Sequence, residues 1–389
     1  MVMAGYGERS YWIHPMGLYL YDGIAGMTLF LAALAKETGN ETYREAARVL
    51  TGKLFEHTRQ LEISGEGQRL PTGAYSGEAS VAYTYLLLYS VGQQDILLDY
   101  VYRQCRVLAG MLPFDTLYDV LGGNAGAVLV LLLAYEKTGK REYLVWAKEA
   151  GEYLIQSGIR YEWGLGWAGS AAKTALTGFA HGAGGIMLAL ARLGYAAKEE
   201  KFLRAAREAY AFEQYYYDAE RRDWKDLRFA EEEVREKTVQ EKRNVISWCH
   251  GRGGILAARK RAAGYAAGSF REEWEKDRHE MDLDWEDNDR LENEGYCLCH
   301  GRCGGAALLA CMGKKEAAAR EQRRILEELY ACRDEIKESL CLQECENYGL
   351  LGGIAGIGYA CLVGPEEIGD FLFLEEPKRG MGGDDHLCS

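Results

Sequence analysis

Hydrophobic and polar positions alternate along this chain in long blocks. A cluster of small residues precedes a nearly unbroken apolar stretch, then comes a short polar turn, and then a stretch in which apolar residues return every third or fourth position. The apolar stretches are "DGIAGMTLFLAAL" from Asp22, "SGEASVAYTYLLL" from Ser76, "GGNAGAVLVLLLA" from Gly122, "HGAGGIMLALA" from His181, "HGRGGILAA" from His250, "HGRCGGAALLA" from His300 and "GGIAGIGYACL" from Gly352. They define seven units. Their first glycines, at 23, 77, 123, 182, 251, 301 and 353, lie 46 to 69 residues apart, which is room for two helices and two loops each.

A stretch such as 125–135, "AGAVLVLLLAY", is apolar on every side and predicts a helix buried all round. It breaks at a turn, "KETGNE" at 36–41 or "EKTGKR" at 136–141. In the "REYLVWAKEAGEYLIQ" that follows at 141–156, Tyr143, Ala147, Ala150 and Leu154 form one stripe on an otherwise charged helix. A buried helix followed by an amphipathic one, seven times over, predicts an all-α protein with inner helices shielded by outer ones. Five prolines and no convincing alternating run argue against strands. Periodicity alone does not decide whether the units stack openly or close into a ring. Two segments interrupt the rhythm: the mixed-charge 223–244 and the acidic 271–294, which carries twelve acidic and four basic side chains. The acidic segment reads as a solvated outer helix and loop, with a docking surface for a basic peptide as the sharper alternative.

The 389 residues, 48% hydrophobic and 27% charged, describe an ordinary globular chain with material for a large core. A formal charge of -13 argues against nucleic acid as a partner, because phosphate neutralisation needs a basic surface. The start, "MVMAGYGERSYW", lacks the apolar core of a secretory signal, and the longest apolar run falls short of the roughly 20 residues that span a bilayer. A cytoplasmic protein with no membrane span is expected. Eleven cysteines at irregular spacing then read as reduced thiols, a few of them metal-bound.

When the units are superposed, the residue before the first glycine is histidine in units four to six, His181, His250 and His300, and cysteine precedes it in two, Cys249 and Cys299. Equivalent positions in a ring of inner helices gather at one mouth, where helix N-termini favour thiolate over thiol. Two thiolates and an imidazole suit zinc, and Cys249, Cys299 and His300 make the best set, leaving a fourth position open. Cys297 or Cys303 could instead close the site as a structural one, or the cysteines could simply be buried. An open site with two thiolates is a better holder of a substrate thiol than a generator of hydroxide. Its natural reaction is sulfur attacking an electrophilic carbon, with a nearby acid to protonate the carbanion.

The motifs "YDGIAG" (21–26), "YSGEAS" (75–80), "YDVLGGNAG" (118–126), "GFAHGAGGI" (178–186), "SWCHGRGGI" (247–255) and "LCHGRCGG" (298–305) resemble the successive glycine motifs of the lanthionine synthetase C-like family. The match runs from about 12 to 360, and the opening and the first Cys-His-Gly look closer to the cyclase domain of class II lanthipeptide synthetases. The resemblance implies one α/α toroid domain over 1–389, with seven inner and seven outer helices and one zinc per chain on Cys249, Cys299 and His300. It implies intramolecular Michael addition of peptide cysteines to dehydroalanine or dehydrobutyrine, as in lantibiotic biosynthesis, with a dehydrated precursor peptide as substrate and a dehydratase domain or protein as partner. The acid and base histidine falls on His181, with Asp119 holding it. Standalone cyclases carry arginine where this chain has Val245, and Arg243 or Arg252 is a candidate to take over its support of the enolate. They tend to have tyrosine where this chain has His250, which makes His250 a second candidate proton donor. The rival readings are addition of a free thiol such as glutathione to dehydroamino acids in proteins, and a non-catalytic helical scaffold with structural zinc.

Overall fold

A computed structural model describes residues 2–7, 10–65, 67–170, 172–228, 245–266, 271–272, 274–275, 285–286, 289–332 and 347–376. Arg243 and half of the acidic segment, including Asp282, Asp284 and Asp287, lie outside the described residues. The seven apolar stretches form the inner helices Ile24–Thr38, Glu78–Gly92, Asn124–Thr138, Ala183–Ala197, Arg252–Tyr265, Arg302–Cys311 and Ile354–Leu362. Six outer helices are described: Glu41–Ser64, Ile96–Ala109, Arg141–Ser157, Glu200–Tyr215, Lys315–Ala331 and Pro365–Leu372. The third inner helix is buried without interruption from Asn124 to Ala134. The predicted stripe of Tyr143, Ala147, Ala150 and Leu154 is wholly buried against it, while the charged positions of that helix face outward. Three antiparallel hairpins are described: Ile159–Tyr161 with Gly164–Gly166 and Tyr217–Asp218 with Asp223–Trp224 are too brief for an alternating pattern to register, and the six-residue pair Val2–Gly7 with Ser10–Pro15, "VMAGYG" and "SYWIHP", carries no alternation. Among the described residues no helix is long and apolar enough to cross a membrane.

Each inner helix begins where the chain doubles back on itself, and the glycines are there for close approach. A Cβ on Gly123 would stand 2.3 Å from the Tyr118 nitrogen, and one on Gly126 would stand 2.2 Å from the Val120 carbonyl oxygen. The doubled-back loops then hydrogen-bond to one another around the molecule. Tyr21 N–H donates to Tyr75 O (2.8 Å), Tyr75 to Leu121 (3.2 Å), Leu121 to Ala180 (3.1 Å) and Ala180 to Cys249 (3.1 Å). Trp248 N–H continues to Cys299 O (3.0 Å), Cys299 to Leu351 (2.9 Å), and Leu351 closes the circle on Tyr21 O (2.9 Å). This belt joins the residue two before the first glycine in every unit, and its closure makes the architecture a toroid.

The bore is filled from within. The outer helix of the seventh unit, Pro365–Leu372, is short, and its end and the residues after it turn inward: Phe371, Leu372, Phe373 and Leu374 are all buried. Tyr75 and Tyr83 hydroxyls both donate to the Phe371 carbonyl (3.0 and 2.8 Å), Trp248 Nε1 to Leu372 O (2.9 Å), and Arg192 to Leu374 O (2.8 Å). Four apolar side chains, each worth about 1.5–3 kcal/mol when fully buried, anchor this plug. Trp248 and Tyr75 also carry it up to the belt.

Candidate metal centre

The two Cys-His-Gly-Arg tetrapeptides enter at the fifth and sixth places of the belt, so the ring itself sets Cys249 beside Cys299. A second clamp reinforces the pair. Asn293, buried at the end of the acidic segment, accepts from Ile246 N–H (3.0 Å) and donates to the carbonyls of Ile246 (2.7 Å) and His300 (2.7 Å), tying together the approaches to both cysteines.

Ligand atoms of Cys249, Cys299 and His300 lie within 4.8 Å of one another; Cys299 is buried, Cys249 half-buried and His300 exposed. The trio is therefore walled by protein behind Cys299 and open to solvent at His300. Left to themselves the three groups cannot all adopt ligand forms. Hydrogen bonds from Cys299 and His300 hold Cys249 as the thiolate, with its pKa depressed to about 4. The hydrogen bond to Cys249, with burial behind it, pushes the Cys299 thiol far up, and His300, bonded to the sulfurs of Cys249 and Cys297, is raised to about 10. A dication among them would take both sulfurs as thiolates and the imidazole as neutral, so the donor set fits zinc. Cys297 reaches the His300 ring and Cys303 lines a small open pocket between the sixth and seventh units; neither belongs to the trio.

The two histidines of the tetrapeptides part company at the glycine that follows. Gly251 has φ +93°, in the region that favours glycine, whereas Gly301 has φ -90°. His300 joins the cysteines, while His250 stacks on His181 with ring centres 5.1 Å apart and planes 18° from parallel. His181 Nδ1 meets Asp119 Oδ2 at 2.9 Å, and Asp119 Oδ1 accepts the Gly122 and Gly123 N–H groups (2.7 and 3.1 Å), so the carboxylate is locked at a helix start. Burial opposes a charged His181, but the hydrogen bond and charge of Asp119 outweigh it and leave the imidazole above its ordinary pKa. His250 goes the other way, to about 4, through burial first and the positive charges of Arg228 and His181 after it.

Three further residues shape this mouth that the sequence alone did not single out. Arg228 extends its field over Cys249, Cys299, His181 and His250 and is forked onto Asp226, with Nε 2.9 and 3.1 Å from the two carboxylate oxygens. It lies in the mixed-charge interruption, where an acid two residues before a base was the available signal. Arg252, by contrast, sits beside Asp223, which accepts its backbone N–H. Glu213, wholly buried and paired with Arg259 at 3.1 Å, accepts the N–H of Gly178 (3.1 Å) and so fixes the loop that carries His181. Asn293 completes the set.

A family model described as lanthionine synthetase C-like protein matches residues 14–363. The lacticin 481/lactococcin biosynthesis protein LcnDR2 of Lactococcus lactis subsp. lactis is 24% identical over 281 residues, covering 69% of this chain and 27% of that protein, so the chain spans well under a third of this relative's length. Among solved structures, nisin cyclase superposes with a TM-score of 0.61 at 18% identity, covering 92% of both chains, and shares the α/α toroid. With a family model spanning nearly all the described ring, the chain belongs to the lanthionine synthetase C-like family.

Proposed function

We propose that this chain closes thioether rings in a dehydrated precursor peptide by adding a cysteine thiol to dehydroalanine or dehydrobutyrine in the same peptide. The observation that carries the reading is the meeting, at one mouth, of the Cys249, Cys299 and His300 trio with an imidazole anchored by Asp119. Zinc held by those three residues would lower the pKa of an incoming thiol toward neutrality. His181 commits Nδ1 to Asp119, so Nε2 is the nitrogen left to exchange protons with the substrate. It accepts the proton of the thiol as sulfur attacks the β-carbon. The displaced π electrons become an enolate, and a proton returned from His181 to the α-carbon completes the addition. One S–H and one C=C are consumed, one S–C and one C–H are made, and nothing is released.

Arg228, whose charge reaches both cysteines and both histidines, would steady the enolate, a role for which the family resemblance offered Arg243 or Arg252 as candidates. His250, held neutral and stacked on His181, acts in this reading as the wall that orients the working imidazole. The reaction consumes dehydroamino acids, so a dehydratase, in the same polypeptide or another, must supply them.

The test is mass spectrometry of a dehydrated, cysteine-containing precursor incubated with the zinc-loaded chain. Loss of alkylatable thiols at unchanged peptide mass supports ring closure. An adduct formed only when glutathione is present supports the free-thiol rival, and persistence of all thiols sinks both. A purely structural zinc predicts that Cys297→Ala and Cys303→Ala release metal as readily as Cys249→Ala; the catalytic reading has both variants retain it.

A further inference from the structure

The fifth inner helix carries Arg259 at the head of the run "RKR", and the side chain is buried. Its guanidinium forks onto the last turn of the fourth outer helix. Nε and Nη2 both donate to Glu213 Oε2 (3.3 and 3.1 Å), and Nη1 donates to Gln214 Oε1 (2.8 Å). Two aromatic rings lie against the same group, Tyr210 with its centre 4.1 Å away and Trp224 with its centre 4.7 Å away.

These contacts reach two loops of the mouth. On one side, Glu213 Oε1 accepts the N–H of Gly178, three residues before His181. A Cβ on Gly184 would stand 2.7 Å from that same oxygen, so the carboxylate rests directly on the start of the fourth inner helix. On the other side, Trp224 ends the short strand that leads to Arg228, four residues on. Between the two, Lys225 N–H donates to Tyr216 O (3.0 Å) and Lys225 O accepts the Thr177 hydroxyl (2.9 Å), which ties the Arg228 segment to the residue beside Gly178.

A buried ion pair adds little to stability by itself, because desolvation of both charges offsets their attraction, and apolar side chains would hold the two helices together as well. What the guanidinium adds is direction: a rigid plane with N–H groups at fixed angles holds its partners in one orientation. We propose that Arg259 is a positioning residue of the ring-closing reaction, setting the Arg228 segment in fixed register with the loop that carries His181. The inference rests on the proposed function, in which His181 moves the proton and Arg228 steadies the enolate, and it adds a residue that acts through those two and not on the substrate.

The experiment measures ring closure on a dehydrated, cysteine-containing precursor by the zinc-loaded full chain carrying Arg259→Lys, Arg228→Ala or both, with urea unfolding to verify the fold. Lysine keeps a charge opposite Glu213 and loses the fork. In Arg259→Lys, kcat is expected to fall about 10²-fold with KM nearly unchanged, the scale set by a displacement of about 1 Å at the reacting groups. Part of that loss is Arg228 moved out of place, so the double variant is expected to be about fivefold or more faster than the product of the two single losses predicts. Trp224→Leu, which leaves the Glu213 pair intact, carries the same comparison if the lysine variant does not fold; it is expected to slow the unmutated chain and to add less than about twofold to the loss in Arg228→Ala. Rates within about twofold of the unmutated chain, or losses that multiply in full with that of Arg228→Ala, would overturn the proposal. If the unmutated chain leaves the precursor's thiols unreacted, the proposed function itself has failed, and this is evident before any variant is compared.

Discussion

Replacing Asn293 by alanine tests whether the clamp between the two cysteine motifs belongs to the metal centre or only to the fold. The change removes three hydrogen bonds of 2.7 to 3.0 Å. Ile246 is buried, so its N–H and C=O would lose their partners where water does not readily reach them, at about 1–3 kcal/mol for each group. The His300 carbonyl belongs to an exposed residue and can turn to water at smaller cost. The folded state should therefore lose about 2–6 kcal/mol, read as a lower urea midpoint in the metal-free protein. If the clamp also sets the ligands, zinc affinity should drop about 10- to 100-fold, and saturating zinc should then restore about 1.4–2.7 kcal/mol less stability than in the unmutated chain. Asn293→Asp sharpens the case. At neutral pH its carboxylate still accepts from Ile246 N–H but confronts two carbonyl oxygens; protonation removes that repulsion and supplies a donor. Its deficit should shrink as pH falls through the carboxyl titration, opposite to the trend for a paired acid. Urea unfolding with and without zinc, and chelator competition, measure both effects. A variant that unfolds early yet binds zinc within twofold of the parent would refute the link between clamp and metal.

Two further outcomes concern the proton-transfer side of the mouth. Asp119→Asn should lower the His181 titration, followed by imidazole NMR, because the carboxylate is what holds it up; turnover should fall about 10²- to 10⁴-fold with zinc retained. The stability this pair contributes is present below the ordinary imidazole pKa and fades as pH rises through the elevated one, so the variant should lose most at acid pH. Arg228→Ala should slow ring closure about 10²-fold without releasing metal. Arg228→Lys should recover only part of that loss, since an ammonium cannot keep the forked grip on Asp226; an unchanged rate in either variant removes Arg228 from the reaction.

How far the sequence could be read follows from what each feature needs from its residues. The inner helices were legible because a helix buried on all sides must be apolar on all sides. Their starts were legible because a doubled-back chain tolerates no Cβ at Gly123 or Gly126. The belt left no mark, since its links are backbone hydrogen bonds available to any residue, and ring closure therefore came through resemblance instead of periodicity. The plug of Phe371 to Leu374 follows the last repeat, so no period announced it. Asn293 and Arg228 lie in the two segments that break the rhythm, where a lone asparagine or an Asp-x-Arg is one polar spacing among many.

The repeated Cys-His-Gly-Arg shows the same division in one place. The repeat determines where on the ring each side chain enters, and the dihedral of the glycine determines which way the neighbouring histidine turns. A Cβ at Gly251 would meet no atom within 4 Å, so Gly251→Ala is opposed only by the backbone conformation, φ +93° with ψ -179°, at about 1–3 kcal/mol. At Gly301 a Cβ would fall 2.3 Å from the Cys297 nitrogen, so Gly301→Ala should be far more disruptive although the motif is identical. Under strain at 251 the cheapest relaxation is toward negative φ, which swings His250 off His181. Its titration, held near 4 by burial and neighbouring charge, should then climb toward the ordinary imidazole range. Histidine NMR on Gly251→Ala measures this directly. A His250 titration that stays depressed would show that the stacking, rather than the glycine, decides where this histidine points.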